Sequence, residues 1–403
     1  MTNCQLKKIT EVYGDAFYLL DTRQFRENFR ELKSAFSAIY PHFNIAYSYK
    51  TNYTPALCRI VDEEGGFAEV VSDMEMEIAL RLGVPACKII WNGPFKNAAK
   101  IEQLLLDGGT VNLDSAYEID LIDALARKHP TARLNVGLRC NFPVGDGVLS
   151  RFGFDIDGAD FQRALALFAK HENLCLIGLQ CHFATRRLDT WRPRAEGMLA
   201  LLEKLQLVPQ YIDLGGGLFG KMAPSLQAQF DSEIPTYQQY AQAVATLFAE
   251  RFQNAAHKPT LLIEPGSALV GDCMHFVSKV VNIKTVRGKA IATLLGSIYN
   301  INPTLNTKNP PICVHPMGGT QQQYDDLDFG GFTCIESDYL YRHYCGKLAV
   351  GDFVEFGNVG SYSVVLKPPF ILPNFPVLDL SQNETVLVKR AETFDDLFHT
   401  FAF

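Results

Sequence analysis

Short β-rich runs alternate with helix-like stretches through the first two thirds of the chain, and this alternation limits the possible folds more than any other feature. The β-rich runs cover residues 44–50, 66–72, 88–93, 110–114, 133–140, 174–183, 211–215 and 260–264. The helix-like stretches include residues 73–82, 97–106, 116–128, 160–171 and 236–252. Eight such units predict a parallel (β/α)8 barrel of the TIM type rather than an open doubly wound sheet. No GxGxxG motif follows the first strand, which also argues against a dinucleotide-binding domain.

The pattern changes near residue 270. Runs at 275–285, 289–295, 351–356 and 385–390 predict antiparallel strands joined by loops that contain Gly and Pro. The run at 16–20 is expected to add a strand to the same sheet. A chain of 403 residues has room for two domains. We therefore expect a barrel over residues 24–270 and a C-terminal antiparallel β domain, like a β-sandwich or barrel, built from residues 1–23 and 271–403.

Composition and charge exclude several classes of protein. With 47% hydrophobic and 20% charged residues the chain is typical of a globular protein. The net charge of −7, without a block of Lys and Arg, argues against nucleic acid or an anionic membrane as a partner. No stretch resembles a signal peptide or a membrane span, so a cytoplasmic location is expected. The ten cysteines form no CxxC pair, which favours reduced thiols, and no metal ion is expected.

Chemically useful side chains follow the predicted barrel strands. In a barrel of this type the active site lies at the carboxyl ends of the strands. The residues at those ends are Lys50, Ser72, Asn92, Gly93, Asp114, Ser115, Arg139, His182, Thr185, Gly215, Gly216, Gly217 and Glu264. The sequence therefore predicts that an amine, an imidazole, a carboxylate and a glycine loop meet at one rim.

Each of these residues allows a second interpretation. Lys50 is placed as a Schiff-base lysine would be, but most lysines after a strand are solvated. Glu264 closes an apolar run, where a carboxylate is costly unless a cation such as a protonated pyridine pairs with it. His182 either faces a ligand or is a core histidine. The three glycines at 215–217 either cradle a phosphate with their N–H groups or form only a tight turn.

Ten short motifs occur in a fixed order between about residues 15 and 385. They are YKTN at 49–52, EVVSDME at 69–75, NGPFK at 92–96, NLDS at 112–115, RFGF at 151–154, CHF at 181–183, DLGGG at 213–217, EPG at 264–266, CIESD at 334–338 and GSY at 360–362. This set resembles the fold-type III pyridoxal-phosphate decarboxylases, which include diaminopimelate and ornithine decarboxylases. The resemblance implies pyridoxal 5'-phosphate as cofactor, an amino-acid-type substrate, and a homodimer with shared active sites.

The resemblance also implies a role for individual residues. Lys50 would bond to the cofactor, His182 would stack on its ring, and Glu264 would keep its pyridine nitrogen protonated. Cys334, from the partner subunit, would return the proton to Cα. The residues implied for the phosphate are Gly215, Gly216, Gly217, Tyr362 and Thr185.

Three departures from the family's pattern bear on the substrate. Ser267 stands where an arginine often follows the EPG motif, and NPTL at 302–305 stands where diaminopimelate decarboxylases carry RPxL. Ile335 follows the cysteine where an acid usually receives the substrate's distal ammonium. An apolar side chain cannot balance a desolvated ammonium, although Glu336 could replace the acid if the loop shifts.

An arginine-rich run beginning at residue 186 adds positive charge next to His182. It contains Arg186, Arg187, Arg192 and Arg194. These guanidinium groups either form a solvated helix face or bind carboxylates at the far end of the substrate. The second interpretation predicts an anionic or acylated substrate, such as a citryl-diamino acid of carboxylate-siderophore biosynthesis. The residues expected to contact substrate are Arg139, Arg186, Arg187, Glu336 and Asp338.

Other functions stay open on sequence grounds. The alternative substrates are free diaminopimelate, ornithine and lysine, for which Glu336 would bind the distal ammonium. An amino-acid racemase and a non-catalytic regulator of the same fold are the remaining classes. The spacing of Cys334 and Asp338 fits a decarboxylase better than a racemase, and retention of Lys50, His182 and Glu264 argues against a regulator.

Overall fold

A computed structural model describes residues 2–302, 304, 307–381 and 384–402. Its strands, in chain order, are β1 (Ala16–Leu20), β2 (Phe43–Ser48), β3 (Phe67–Val70), β4 (Ile89–Trp91), β5 (Thr110–Leu113), β6 (Leu134–Asn141), β7 (Phe154–Asp155), β8 (Leu174–Gln180), β9 (Tyr211–Asp213), β10 (Thr260–Ile263), β11 (Met274–Val286), β12 (Lys289–Leu294), β13 (Ile312–His315), β14 (Gln322–Gly330), β15 (Tyr339–Leu348), β16 (Phe353–Phe356), β17 (Val377–Asp379) and β18 (Val386–Lys389). Its α-helices are α1 (Asn3–Tyr13), α2 (Thr22–Ser37), α3 (Pro55–Glu63), α4 (Asp73–Arg81), α5 (Ala98–Leu106), α6 (Ala116–Lys128), α7 (Ala159–Lys170), α8 (Trp191–Leu205), α9 (Pro224–Gln227), α10 (Tyr237–Arg251), α11 (Ser267–Val270), α12 (Ile298–Ile301) and α13 (Phe394–Phe398).

The chain divides into two compact units. One unit comprises Arg26–Gly220 and Ile234–Leu269, and the other described residues form the second unit. The segment Lys221–Glu233 belongs to the second unit, which the sequence did not indicate. The domain boundaries at residues 24 and 270 stay a prediction.

The first unit is a closed barrel of eight parallel strands. They neighbour one another in the order β5, β4, β3, β2, β10, β9, β8 and β6, and the pairing of β5 with β6 closes the ring. Apolar side chains such as Ile45, Val70 and Ile263 are fully buried. Strands covered on both faces need continuous apolar runs, and this is why they could be found in the sequence. The predicted TIM-type barrel is confirmed.

Two residues of the predicted rim begin helices. The Ser72 hydroxyl accepts a hydrogen bond from the N–H of Glu75 at the start of α4. Ser115 forms a capping box with Glu118 at the start of α6. Both follow the S-x-x-E pattern, in which the serine oxygen satisfies a free N–H of the first turn.

The second unit contains a mixed sheet of nine strands in which most pairings are antiparallel, as the sequence predicted. A seven-strand path runs β15, β14, β12, β11, β1, β17 and β18, while β16 joins β11 to β13. As the sequence indicated, β1 belongs to this sheet, where it pairs antiparallel with β11. However, β12 pairs parallel with β14, and β1 pairs parallel with β17. Parallel neighbours need a long crossover, and both pairs are widely separated along the chain.

None of the helices in the described parts of the chain combines the length and the apolar character that a membrane crossing requires.

Candidate active site

Lys50 and Glu69 form an ion pair at the carboxyl ends of β2 and β3. Lys50 lies in a short 3-10 turn that follows β2, and its Nζ is 2.9 Å from Glu69 Oε2. The Ser48 hydroxyl donates a hydrogen bond to the same carboxylate oxygen. Glu69 is fully buried, whereas the Lys50 side chain is 32% exposed. The amine is therefore held in place but stays accessible, as a nucleophile must be.

Asn92 connects this ion pair to a second carboxylate. Its Nδ2 donates hydrogen bonds to Glu69 Oε1 at 3.0 Å and to Glu264 Oε1 at 2.6 Å. Its Oδ1 accepts a hydrogen bond from Asn112 Nδ2 at 2.8 Å. All four side chains are buried, so each hydrogen bond avoids a costly unpaired polar group. Asn92 is thus a structural part of the site, a role that its place in the sequence did not reveal.

Glu264 has three polar partners at the barrel rim. Besides Asn92, the Gln180 Nε2 donates to its Oε1 at 3.0 Å. Its Oε2 lies 3.2 Å from His182 Nδ1, and that nitrogen lies 2.9 Å from the backbone nitrogen of Gly216. In a neutral ring, Nδ1 either donates to the carboxylate or accepts from the Gly216 N–H.

Glu264 and Asp213 are buried neighbours that take opposite protonation states. Burial alone would raise the pKa of Glu264, but His182 and the charges of Lys50 and Arg139 lower it to about 2. Burial and the negative charge of Glu264 raise the pKa of Asp213 well above its usual value. Asp213 Oδ1 accepts from the Gly215 N–H at 2.9 Å. Glu264 is consequently an anion at neutral pH, while Asp213 keeps its proton.

The pKa of His182 is also shifted, although part of its side chain is exposed. Burial lowers its pKa, and the Glu264 carboxylate offsets only part of this effect. The ring is therefore largely neutral at pH 7 and presents a flat, uncharged face. Such a face suits stacking on an aromatic ligand.

The glycine loop after β9 approaches its neighbours too closely for side chains. Gly215 and Gly217 have positive φ angles of 71° and 86°. A Cβ atom on Gly216 would lie 2.4 Å from the carbonyl oxygen of Glu264. Only glycine combines these angles with this spacing. The Gly215 and Gly216 N–H groups face Asp213 Oδ1 and His182 Nδ1, whereas the Gly217 N–H has no acceptor within the described residues.

Arg139 and Thr185, which were predicted to contact a ligand, bind acidic side chains of the protein. Arg139 Nη1 lies 3.0 Å from Asp114 Oδ1, and its guanidinium packs 4.7 Å from the Phe152 ring centroid. The Thr185 hydroxyl donates to Asp146 Oδ2 at 2.7 Å. Both residues lie at the predicted rim, but Arg139 Nη1 and the Thr185 hydroxyl already have partners in the protein.

The arginine run reaches several different partners. Arg187 Nε lies 3.2 Å from Asp189 Oδ1, and Arg192 Nε lies 2.7 Å from Glu196 Oε1. Both pairs are more than half exposed at the arginine, and such surface pairs contribute little to stability. These two arginines match the solvated-face interpretation.

The other two arginines of the run differ from each other. Arg186 is exposed, and its guanidinium lies 5.6 Å from the Phe219 ring centroid. Arg194 is fully buried and donates hydrogen bonds to the backbone carbonyls of Gly216 and Thr185 at 2.7 and 2.6 Å. Arg194 therefore faces the protein interior, which matches neither the solvated helix face nor a carboxylate site.

In the second unit, Asp338 anchors the loop that carries Cys334 and Glu336. Its carboxylate accepts hydrogen bonds from the Thr333 hydroxyl at 2.6 Å, the Ser297 hydroxyl at 3.0 Å and the backbone N–H of Ile298 at 2.7 Å. It is buried, whereas Cys334 and Glu336 are exposed. Asp338, predicted to contact substrate, thus has its carboxylate occupied by its own loop and by residues 297–298.

Tyr362, also in the second unit, has a φ angle of +65°. An aromatic residue rarely adopts this left-handed conformation, and such residues concentrate at functional sites. The NPTL motif lies partly outside the described residues, since Pro303 and Leu305 are not among them.

One group of side chains in the second unit has the spacing of a metal site. Asp326, Asp328 and His343 have ligand atoms within 4.8 Å of one another. Lys289 lies 3.1 Å and Arg342 3.0 Å from the Asp328 carboxylate. Cations of the protein itself already neutralise this cluster.

Glu69, Gln180 and Asp213 belong to the site although the sequence assigned them no role; Glu69 and Asp213 lie in two of the ten motifs. Each is a polar residue at the end of an apolar barrel strand, as are Lys50 and Glu264. In the parallel register, Ser48 lies opposite Glu69 and Gln180 opposite Asp213. Aligning the strand ends would have placed these side chains next to the predicted ones.

Comparison with known proteins agrees with this geometry. A family model described as "Pyridoxal-dependent decarboxylase, pyridoxal binding domain" matches residues 22–271. The diaminopimelate decarboxylase of Methanothermobacter thermautotrophicus is 25% identical over 97% of this chain and 92% of its own length. That of Bacteroides thetaiotaomicron is 28% identical over 87% of this chain and 91% of its own.

Solved structures share the fold along nearly the whole chain. The crystal structure of diaminopimelate decarboxylase from Methanocaldococcus jannaschii has a TM-score of 0.87 at 23% identity and covers 98% of this chain and 94% of its own. The lysine/ornithine decarboxylase of Vibrio vulnificus, complexed with putrescine, has a TM-score of 0.76 at 19% identity and covers 94% and 97%.

Proposed function

Since this chain belongs to the family of pyridoxal-dependent decarboxylases, we propose that it removes the α-carboxylate of a free diamino acid such as diaminopimelate, lysine or ornithine. The chain is an amino-acid carboxy-lyase that uses pyridoxal 5'-phosphate. The observation that carries the proposed substrate class is the near full-length match to curated diaminopimelate decarboxylases.

The described residues fit this cofactor. The Gly217 N–H of the glycine loop has no acceptor within the described residues and is available to a phosphate. The buried anion Glu264 suits a protonated pyridine nitrogen. We propose that Lys50 holds the cofactor covalently, His182 packs on its ring, and the loop at 215–217 binds its phosphate. When bound, the cofactor withdraws electrons from the carbanion that remains after CO2 leaves.

The two carboxylates of the site, Glu69 and Glu264, would each stabilise a different positive charge. Glu69 neutralises Lys50 and fixes the direction of its Nζ. Glu264 holds a negative charge away from Lys50, with Asn92 between the two acids. A fixed anion at that point stabilises positive charge on a ring nitrogen and needs no reorganisation during the reaction.

Residues of the second unit receive their roles from the family resemblance alone. We assign Cys334 to proton return at Cα, Tyr362 to the phosphate, and the active enzyme to a homodimer in which Cys334 comes from the partner subunit. The left-handed backbone of Tyr362 is consistent with a residue held for function.

Contacts of the arginine run favour a free diamino acid over an anionic distal end. Arg187 and Arg192 are paired with acids, and Arg194 is bound to carbonyls. The exposed Glu336, one position after Ile335, is the candidate partner for the substrate's distal ammonium. A carboxylate in that place gives a charge-assisted hydrogen bond that an apolar residue cannot.

One observation supports a second candidate, an acylated or anionic substrate. Arg186 is exposed, and within the described residues it has no acidic partner. It could bind a distal carboxylate of a citryl-type conjugate, as in carboxylate-siderophore biosynthesis.

The test is a substrate panel on purified, cofactor-loaded enzyme. CO2 release is measured with diaminopimelate, lysine, ornithine and their citryl conjugates. We expect a free diamino acid to be the best substrate, and Lys50→Ala to lose both activity and the cofactor's visible absorbance. Loss of optical activity without CO2 would indicate a racemase, and absence of bound cofactor would indicate a regulator.

Two variants separate the substrate candidates. Glu336→Gln should raise KM for the diamino acid by about tenfold, because it removes one charged contact, whereas Asp325→Asn, another exposed acid of the same unit, should not. Arg186→Glu should leave KM unchanged. A citryl conjugate as best substrate, with KM raised by Arg186→Glu, would contradict the free diamino acid.

A further inference from the structure

Arg194 lies behind the glycine loop in the first turn of α8. Its Nη1 donates to the carbonyl of Gly216 at 2.7 Å, and its Nη2 donates to the carbonyls of Phe183 and Thr185 at 3.1 and 2.6 Å. The side chain is 0% exposed, and within the described residues it has no salt bridge to an acid. One guanidinium therefore joins the loop after β8 to the loop after β9.

Trp191, three residues earlier in the same turn, also contacts the glycine loop. Its indole Nε1 donates to the carbonyl of Gly217 at 3.1 Å. Its ring lies 4.4 Å from the Arg194 guanidinium, a distance typical of a cation–π contact. Trp191 is fully buried, so both side chains are fixed by packing.

The orientation of these carbonyls determines where the next N–H groups point. In a trans peptide the C=O and the following N–H face opposite ways. Carbonyls turned toward Arg194 and Trp191 turn the next amides away from them, namely those of Ala184, Arg186, Gly217 and Leu218. Across the described residues, none of these four N–H groups donates a hydrogen bond to the protein. Four uncommitted donors on two adjacent loops form a backbone site for an anion.

The charge of Arg194 also favours an anionic ligand at these two loops. A buried guanidinium without an acidic partner is costly, and burial lowers the pKa of Arg194 to about 10. A phosphate dianion on the opposite side of the loops would supply the missing negative charge.

We propose that Arg194 is a positioning residue that orients the amide donors of the two loops toward the cofactor's phosphate without touching it. This inference rests on the proposed function, in which the loop at 215–217 binds that phosphate. Arg194 acts through the peptides of Phe183, Thr185 and Gly216.

The test compares pyridoxal 5'-phosphate with pyridoxal, which lacks the phosphate. Full-length wild type and Arg194→Gln are stripped of cofactor with hydroxylamine, and each compound is titrated by absorbance. In the variant we expect the Kd for the phosphate form to rise about 10- to 100-fold, as for the loss of one or two hydrogen bonds to a charged group. The Kd for pyridoxal should stay within about twofold of wild type. A merely structural role would weaken both compounds equally, and that result would overturn the proposal.

Two further variants make the test specific. Arg192→Gln, an exposed neighbour on the same helix, should keep the wild-type preference for the phosphate form. Arg194→Lys keeps the charge but has only one nitrogen, so it should lose part of the preference. If Arg194→Gln does not fold, the Lys variant decides: a reduced preference supports the proposal and an unchanged one overturns it.

Failure of the proposed function gives a different result. If wild type binds both compounds equally, the loop at 215–217 does not bind the phosphate. The inference about Arg194 then fails together with the proposed function. Wild type that prefers the phosphate form, together with an Arg194→Gln variant that keeps the same ratio, would overturn only the role of Arg194.

Discussion

At the scale of single residues, the buried acids of the barrel differ because their donors differ. Glu264 accepts hydrogen bonds from Asn92 and Gln180 and lies near cations. Asp213 accepts one backbone hydrogen bond, and its Oδ2 has no partner in the described residues. Two adjacent carboxyls in a low-dielectric site cannot both ionise, so Glu264, which has more hydrogen-bond donors and cations around it, takes the charge.

Replacement of Glu264 tests the value of that charge. Glu264→Gln keeps the shape but removes the anion that would stabilise a protonated ring nitrogen. We expect kcat to fall by about 100-fold or more while the protein still binds cofactor through Lys50 and the glycine loop. Turnover and bound cofactor are measured on the same preparation. Glu77→Gln, an exposed acid on α4, serves as control, and near-normal turnover of the Glu264 variant would make Glu264 only structural.

Replacement of Asp213 tests whether the folded protein raises the pKa of this carboxyl group. The unfolded residue ionises near 3.8, whereas the folded residue stays protonated well above that value. The folded state then binds more protons between the two pKa values, so this group makes stability fall as pH rises above about 4. Asp213→Asn lacks this effect and should gain Tm relative to wild type as pH rises above about 4. Parallel Tm curves for the two proteins would contradict the raised pKa.

At the scale of elements, a buried ion pair fastens the loop after β4 to helix α6. Lys96 Nζ lies 2.7 Å from Glu118 Oε1 and also donates to the Gly93 carbonyl at 2.7 Å. Both side chains are fully buried. Glu118 also accepts from the N–H groups of Asp114 and Ser115, so one pair orders the ends of two neighbouring strands.

Removal of one partner should be costly. Lys96→Met leaves the Glu118 carboxylate buried without its cation and should lower the free energy of unfolding by about 3 kcal/mol. Denaturant unfolding followed by circular dichroism measures this change. Lys100→Met, a more exposed lysine on α5, should stay within about 0.5 kcal/mol of wild type. Equal effects of the two substitutions would show that the buried ion pair contributes no more to stability than a more exposed lysine does.

The elements also show where sequence patterns are informative. Barrel strands were predictable because burial on both faces requires apolar runs. The strands β14 and β15 were not, since β14 reads QQYDDLDFG and its first five residues are mostly exposed. β14 is a strand because it pairs with β12 and β15, and such pairing leaves no periodic pattern in the sequence.

The same limit applies to the site. Lys50, His182 and Glu264 were identifiable because a polar residue that ends an apolar strand is conspicuous. Arg194 lies in a run rich in arginine and looks like a surface residue. Only the positions of three backbone carbonyls explain its burial, and carbonyls carry no sequence signal.

At the scale of the whole molecule, the proposed chemistry combines residues from both units. Lys50 belongs to the barrel unit and Cys334 to the second unit. The family resemblance predicts that the two meet across a homodimer interface, with Cys334 supplied by the partner. A twofold dimer then contains two equivalent sites, each built from two chains.

Mixing two inactive variants tests this arrangement. Lys50→Ala and Cys334→Ala each disable every site in their own homodimers. After subunit exchange, half of the dimers are mixed and hold one intact site, so activity should return to about a quarter of wild type. Light scattering measures the mass, and CO2 release measures recovery. A monomer, or no recovery despite exchange, would contradict shared sites.

The Asn92 amide has a consequence for proton traffic within the barrel. Its Nδ2 points one hydrogen at Glu69 and the other at Glu264, and its oxygen is occupied by Asn112. A carboxamide neither releases nor takes up a proton near neutral pH. A proton gained or lost at the Lys50 end therefore has no route through Asn92 to Glu264. The lysine can change its protonation state during a catalytic cycle while the charge of the distant carboxylate stays constant.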